Sequence, residues 1–211
     1  MNIRSTLSGL SLLLLSVPIA SLARESVDAK GFASYTDSAF HLSMDDDDSD
    51  SLKAKAVPIP ADILVTLRQD GEVKDCVTDS DDPPFDRWFI AIPIDLYGQK
   101  SALLLLPQTT CVMGANIQGF RIFVRSGAGH KEIFLAYAMS IDLLETKSSD
   151  GHRDIGIIAG SAATEWGAVY RFNGTKYLPV RCWQHRFTGP GNPSAKIEAI
   201  PCSPSTEKPY R

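Results

Sequence analysis

The sequence predicts a mainly β fold of the α+β class: an antiparallel meander sheet with one short N-terminal helix, tied by disulfides. Three observations support this. From Trp88 onward, short apolar segments alternate with turns. Their connections are shorter than the dozen or so residues that a parallel crossover needs. The 211-residue chain also has four cysteines, an even count that fits two bridges.

Residues 1–23 have the pattern of an export signal. Arg4 is their only charge, an apolar run follows that is interrupted by small residues and Pro18, and Ser21 and Ala23 occupy the positions that a signal peptidase inspects. The apolar run is shorter than the roughly 20 residues of a membrane anchor. We therefore predict a cleaved signal peptide and a periplasmic or secreted protein with no membrane association after cleavage. A buried N-terminal helix is the alternative.

If the protein is exported, its cysteines are expected to form disulfides, because an oxidising compartment favours them. Four cysteines allow three pairings. We favour Cys76 with Cys111 and Cys182 with Cys202, since each pair closes a moderate loop and should contribute roughly 3 kcal/mol. The chain has neither a Cys-x-x-Cys pair nor cysteines interleaved with histidines at zinc-site spacing. No neighbouring base supports a catalytic cysteine.

Residues 24–59 have few periodic apolar positions and include the acidic run Asp45–Asp48 with Asp50. Such a segment buries too little apolar area to offset its ordering entropy, so we predict a disordered acidic linker. A weak calcium site or a decoy for a cationic partner is the functional alternative for the acidic run. The chain has a formal net charge of −4 and no basic stripe, which disfavours binding to nucleic acid.

A β-rich globular domain is predicted over residues 60–187. Pro60 at a first helical position, Asp62 in the first turn, and apolar residues at helical spacing predict a short helix that ends near Asp70. The predicted strands are about 88–95, 101–106, 119–125, 132–137, 140–144, 154–160, 165–172 and 175–181.

Two features of the C-terminal part complete the predicted fold. Asn173-Gly174 predicts a type I′ hairpin turn, since both residues tolerate positive φ. Its Asn-x-Thr sequence also matches a glycosylation sequon, which would matter only in a eukaryotic secretory route. Residues 188–211 are predicted to be a loop and tail that the Cys182–Cys202 bridge ties back, with a short apolar piece at Ile197–Ile200.

Two turns of the chain have similar sequences. Asp95 and Gly98 precede the strand Leu103–Leu106 much as Asp150, Gly151 and Asp154 precede Gly156–Gly160. The turn resembles the calcium loops of FG-GAP repeats, in which carboxylates and a central glycine wrap a cation before a strand. In the second copy, Thr146 and Ser148 stand where further carboxylate or amide ligands are expected. The resemblance implies at most a weak calcium site at Asp150 and Asp154, and we predict no other cofactor.

The order of the motifs also resembles a loosely defined set of small exported bacterial proteins of unassigned function. The matching residues are Asp95 with Gly98, Cys111 with Gly114, Gly151–Ile155 and Tyr170–Tyr177, within a resemblance that covers about residues 60–183. This chain lacks the second cysteine that the set has soon after the position of Asn116, which strengthens the pairing of Cys111 with Cys76. The resemblance implies an exported β-rich domain and no established activity.

Catalytic motifs are missing from the sequence. It contains no Gly-x-Ser-x-Gly elbow, no His-Glu-x-x-His and no glycine-rich phosphate loop. Strand alternation would place Asp150, His152 and Asp154 on one side, which keeps a hydrolase or metal-dependent enzyme as an alternative.

Binding needs fewer assumptions than catalysis, since no catalytic motif is found in the sequence. The predicted loop Gly160–Gly167 carries Thr164, Glu165 and Trp166, and tryptophan is enriched among interface anchors. Trp166 either contacts a partner or faces the core. Trp183, with His185 and Arg186, is a second candidate patch. We predict an exported non-enzymatic binding protein with a protein partner, of the inhibitor or immunity type for a secreted or cell-wall-directed enzyme. A structural envelope protein is the third alternative.

Overall fold

The structure is a computed structural model, and it describes residues 25–27, 33–43, 51, 54–76, 83–97, 100–113, 117–161, 163–186 and 196–202. The predicted signal peptide and the acidic run at residues 45–50 lie outside these ranges. Among the described residues, no helix has the length and apolar character needed to cross a membrane.

The described chain is built mostly of antiparallel strands. In chain order they are β1 (Glu25–Val27), β2 (Ala33–Tyr35), β3 (Ser38–Ser43), β4 (Phe89–Asp95), β5 (Lys100–Pro107), β6 (Gln118–Ser126), β7 (Gly129–Ala138), β8 (Ser140–Lys147), β9 (Arg153–Gly160), β10 (Thr164–Phe172), β11 (Tyr177–Arg186) and β12 (Ile197–Ile200). They form a four-stranded sheet β4-β5-β6-β7, a six-stranded sheet β12-β11-β10-β9-β8-β3, and a separate β1–β2 hairpin. The predicted mainly β antiparallel class is confirmed, as are both predicted disulfides, Cys76–Cys111 and Cys182–Cys202.

The main core lies between the inner faces of the two large sheets. Phe120 and Ile122 of β6 pack there with Ile155 and Ile157 of β9, all four essentially inaccessible to solvent. Because side chains alternate along a strand, the residues between these apolar positions face outward. Burial of each large apolar side chain contributes about 1.5–3 kcal/mol. The core therefore fixes which residues of β9 and β10 can reach the outer face.

Two short helices cover the outer face of the four-stranded sheet, where one helix was predicted. Helix α1 spans Ala61–Gln69 and α2 spans Gly71–Lys74. The break is at Asp70, which is extended (ψ 132°) and whose carboxylate accepts the backbone N–H groups of Glu72 and Val73 as the N-cap of α2. A capping residue thus restarts the helix.

A buried arginine joins this helical layer to the sheet. Arg121 of β6 is 5% exposed, and its guanidinium donates to Asp70 at 2.9 Å and to Glu132 of β7 at 2.8 Å. Burial alone would raise the pKa of Asp70, but the charge of Arg121 and the hydrogen bonds to the carboxylate outweigh it, and that pKa is lowered. The Arg121–Asp70 ion pair therefore holds the end of α1 against the sheet.

The prediction of a disordered linker over residues 24–59 is wrong for β1, β2 and β3. Strand β3 pairs with β8 at the edge of the six-stranded sheet, and Ala33 and Tyr35 of β2 are buried on that sheet's outer face. Their partners lie far along the chain, so the local composition of this polar segment gives no sign of them.

The predicted antiparallel meander is divided between two sheets. All eight predicted strands are present with similar bounds. However, only Met139 separates β7 from β8, and there the chain leaves the four-stranded sheet for the six-stranded one. The backbone N–H of Met139 donates to the carbonyl of Ile158 at 2.8 Å, which fixes this corner.

The predicted type I′ turn at Asn173-Gly174 is wrong in detail. Phe172 pairs with Tyr177, so the hairpin has a four-residue loop. Gly174 has φ +92°, whereas Asn173 does not have a positive φ. The side-chain Oδ1 of Asn173 instead accepts the backbone N–H groups of Thr175 and Lys176, both at 3.0 Å. Side-chain capping of the turn therefore replaces the second positive φ.

Candidate functional site

The residues predicted to form a partner-binding loop belong mostly to a strand. The connection between β9 and β10 is only 161–163, and Thr164, Glu165 and Trp166 open β10. Trp166 is half-buried and packs against the core between the sheets. The prediction of a projecting loop over Gly160–Gly167 is therefore wrong, because the strand ladder continues through most of it.

Trp183 and Glu165 are not surface residues. They are 2% and 6% exposed on the outer face of the six-stranded sheet, which the β1–β2 hairpin covers. As placed in the structure, neither can contact a partner, so their prediction as partner-binding residues is corrected. The hairpin comes from the segment that was predicted to be disordered, which is why the sequence did not reveal this burial.

Glu165 instead forms a buried pair with His185. The two residues are register partners on β10 and β11, and His185 Nδ1 lies 2.6 Å from Glu165 Oε2. The same oxygen accepts the backbone N–H of Ala33 at 3.0 Å. His185 is fully buried, and its Nε2 has no hydrogen-bond partner among the described residues. Alternation places Trp183 and His185 on one face, but a bulge at Val169/Tyr170 hid the register with Glu165 from sequence reasoning.

Asp154 is separated from the other members of the predicted Asp150, His152 and Asp154 cluster. Its two carboxylate oxygens accept from the Arg171 guanidinium at 2.9 and 2.6 Å, and Asp154 is 1% exposed. This bidentate pair occupies the carboxylate. The prediction of Asp154 as an acid/base residue or calcium ligand is therefore corrected.

Asp150 and His152 do lie together, on a surface that we call the loop-end patch: Tyr97, Asp150, His152 and Phe172. The His152 ring stacks on Phe172 with centroids 4.1 Å apart, and the Tyr97 ring lies 4.7 Å from it on a tilted approach. Tyr97 is 41% exposed, and the side chain of Asp150 is 42% exposed. The sequence marks Asp150 and His152 by their closeness, whereas no motif marks Tyr97.

Three connections of the sandwich meet at the loop-end patch. Tyr97 follows β4, His152 precedes β9, and Phe172 ends β10. The backbone N–H of Arg153 donates to the Leu96 carbonyl at 2.7 Å, which ties the first two connections together. No sequence motif signals this bond, because it joins backbone groups of two turns that are distant in the chain.

The turn that carries Asp150 is fixed by local hydrogen bonds. The Ser148 hydroxyl contacts Asp150 Oδ1 and the His152 carbonyl, and the Ser148 N–H donates to that carbonyl at 2.8 Å. Gly151 has φ +87°, a conformation that glycine adopts easily. The hydrogen bond from Ser148, followed by the nearby His152, lowers the pKa of Asp150 against the smaller opposing effect of burial. The carboxylate is thus oriented and held ionised.

Replacing Ser148 by alanine should raise the pKa of Asp150 towards its ordinary value, because the largest stabilising contact of the carboxylate is lost. Since the pKa of Asp150 is lower in the folded than in the unfolded chain, its contribution to stability is present above about pH 4 and is lost as the pH falls through the folded value. A carbon-detected NMR titration would measure the pKa. Ser161→Ala, at the other end of β9, is the control, and an unchanged Asp150 titration in Ser148→Ala would contradict the prediction.

Every one of the four histidines has Nδ1 near a carboxylate. The pairs are His41–Asp142 at 2.9 Å, His130–Asp62 at 3.1 Å, His152–Asp150 at 3.2 Å and His185–Glu165 at 2.6 Å. A histidine beside an acid is therefore the rule in this molecule. The His152–Asp150 contact alone is no catalytic signature.

Within the part of the chain that the structure describes, no three His, Cys, Asp or Glu side chains come together as a metal site. With Asp154 bound to Arg171, Asp150 is the remaining carboxylate of the predicted calcium turn, and it already contacts Ser148 and His152. Calcium prefers six to eight oxygen ligands with several carboxylates. The donor set at this turn fits calcium poorly.

No protein-family model, curated protein or solved structure matches the chain. The FG-GAP-like resemblance of the two turns stays a prediction.

Proposed function

We propose that the protein is an exported, non-enzymatic binding protein that contacts a partner protein through the loop-end patch. An inhibitor or immunity-type protein for a secreted or cell-wall-directed enzyme is the class that this surface fits. Two disulfides support export, because such bonds persist in oxidising compartments. The observation that carries the proposal is the exposed Tyr97 ring, held against the partly buried rings of His152 and Phe172.

Rigidity is the first argument for binding. Association is costly when loops must be ordered, so a surface that is ordered beforehand binds more tightly for the same contacts. Here the Arg153–Leu96 backbone bond and the ring stack hold three connections in one arrangement. Loops displayed by a rigid scaffold are the usual place of recognition.

Composition is the second argument. Tyrosine is enriched among the residues that dominate binding energy. Tyr97 offers an exposed ring beside an ionised and oriented Asp150 carboxylate, so the patch presents both an apolar face and a directional acceptor. The neighbouring Asp154 is bound to Arg171, so it does not form with Asp150 the pair of acid groups that most glycoside hydrolases use.

Binding can be tested with protein that lacks residues 1–23. Immobilised protein should capture a stoichiometric partner from a periplasmic or secreted extract. Tyr97→Ala should weaken the purified complex by about 30-fold, the effect of losing a hot spot worth about 2 kcal/mol. Biolayer interferometry gives the affinity.

Val65→Ala is the matched control, because Val65 is 55% exposed and belongs to α1, an element that carries none of the patch residues. Its affinity should equal that of the unaltered protein. Failure to recover a stoichiometric partner, or equal affinities for Tyr97→Ala and the control, would reject the proposal.

A further inference from the structure

The β1–β2 hairpin lies on the outer face of the six-stranded sheet without joining it. In the described chain, β1 and β2 form a separate two-stranded sheet. Side chains connect this hairpin to the body: Tyr35 and Ala33 pack beside Trp183, and Arg181 pairs with Glu25 at 2.6 Å. The attachment therefore depends on these side-chain contacts, on the Ala33 N–H donated to Glu165 and on the chain that continues into β3, and not on a strand ladder.

Tyr35 makes the most specific of these contacts. Its hydroxyl lies 3.1 Å from the Ile157 carbonyl and 3.0 Å from the Ala168 carbonyl, which belong to register partners on β9 and β10. Trp183 Nε1 donates to the same hydroxyl at 3.3 Å. A phenol has one donor and can accept, and both capacities are used here. The site recognises the complete polar end of the tyrosine.

Two glycines provide the space for these rings. A Cβ on Gly156 would lie 2.5 Å from the Tyr35 ring, so the ring can lie over this position only because it has no side chain. A Cβ on Gly167 would overlap the Trp183 ring. Gly167 therefore allows that tryptophan to lie flat on the sheet, beside the Tyr35 ring. The Tyr35 and Trp183 rings meet edge to face with centroids 6.3 Å apart.

We propose that this outer face carries a phenol-binding slot, formed by Gly156, Trp183 and the carbonyls of Ile157 and Ala168, and that the β1–β2 hairpin is a detachable strap that fills it with Tyr35. The ligand class is a neutral para-substituted phenol, such as a tyrosine side chain on a partner segment. The chain's own Tyr35 competes with such a ligand. The slot is separate from the loop-end patch and does not depend on the function proposed for it.

The electrostatics of the slot define its selectivity. Burial raises the pKa of Tyr35 above its ordinary value, and the nearby Glu25 and Asp142 carboxylates act in the same direction. The phenol therefore stays protonated and can donate to the carbonyls. A phosphorylated tyrosine would place anionic oxygens against carbonyl acceptors and should be rejected.

Removal of the Tyr35 side chain should open the slot to a free phenol. We expect Tyr35→Ala, in the otherwise complete chain, to bind p-cresol saturably in an NMR titration of the tryptophan indole N–H signals. Toluene, which lacks the hydroxyl, should bind at least about tenfold more weakly, as expected for the loss of one hydrogen bond. The unaltered protein and Tyr35→Phe should bind neither compound, since a ring already fills the slot.

Gly156→Ala tests the strap without touching it. The three atoms nearest to the new Cβ all belong to the Tyr35 ring, so the substitution should displace the hairpin and leave the sheet intact. Hydrogen exchange should show at least tenfold faster exchange for the amides of β1 and β2, with β9 and β10 unchanged.

Four results would overturn the proposal: a Tyr35→Ala variant that does not fold, since a detachable strap is not needed for folding; equal affinity for p-cresol and toluene; no binding of p-cresol to folded Tyr35→Ala; or unchanged hairpin exchange in Gly156→Ala.

Discussion

Replacing both Cys76 and Cys111 by alanine is expected to lower the free energy of unfolding by about 4 kcal/mol. The bridge joins positions 35 residues apart, and its removal restores the loop-closure entropy of that segment to the unfolded chain. It also releases the end of α2 from the turn that follows β5, where Cys76 packs against the apolar layer under the helices. Urea unfolding of the non-reduced proteins would measure the difference.

The second bridge provides a matched comparison. Cys182 and Cys202 are 20 residues apart, so the same chain-entropy argument gives about 3 kcal/mol. This bridge, however, ties β12, a four-residue edge strand whose described side chains are not fully buried. Loss of β12 by local fraying should therefore keep the measured effect of Cys182→Ala with Cys202→Ala below that of the first double variant. A larger effect at the second bridge would contradict this assignment.

Gly167→Ala is expected to cost about 3 kcal/mol, at the upper end for overpacking of a filled core. The new methyl group would overlap the Trp183 ring and lie 2.7 Å from the Ile157 carbonyl oxygen. Trp183 is 2% exposed and the carbonyl belongs to the centre of the sheet, so neither can move aside easily. Thermal unfolding followed by near-ultraviolet circular dichroism would report both stability and the environment of the tryptophan.

Gly71→Ala is the control for that substitution. No atom lies within 4 Å of a Cβ placed there, and Gly71 begins the short helix α2. Alanine in a helical conformation should leave stability unchanged or raise it by up to about 1 kcal/mol. If the two glycine substitutions had similar effects, close packing of Trp183 on β10 would not explain the need for Gly167.

The strands from β4 to β11 could be predicted because their signal is local. Ile155, Ile157 and Ala159 alternate with residues of the opposite face, and turn residues separate such segments throughout this region. Strands β1 to β3 gave no such signal. Tyr35, for example, is buried only because Gly156 and Trp183, more than a hundred residues later, make a place for it.

The candidate site was predictable only in part for the same reason. Asp150 and His152 stand close together in the sequence, so their contact could be anticipated. Tyr97 lies beside them because of a backbone hydrogen bond between Arg153 and Leu96. Backbone groups are the same in every residue type, so the sequence does not predict this bond. Conversely, Trp183 has the composition of an interface anchor, and only the covering hairpin makes it a core residue.

The pairing of β3 with β8 determines the order in which the chain can assemble. His41 and Asp142 are partners across these strands, yet they are 101 residues apart in the sequence. Each strand from β4 to β7, and from β8 to β11, pairs with its neighbour in the chain, so these hairpins can close early over short loops. The N-terminal segment has no ladder partner in the six-stranded sheet until β8 has been synthesised. We therefore expect β3 to stay without its ladder partner during synthesis for longer than β4 to β7, which leaves that strand open to other proteins in the meantime.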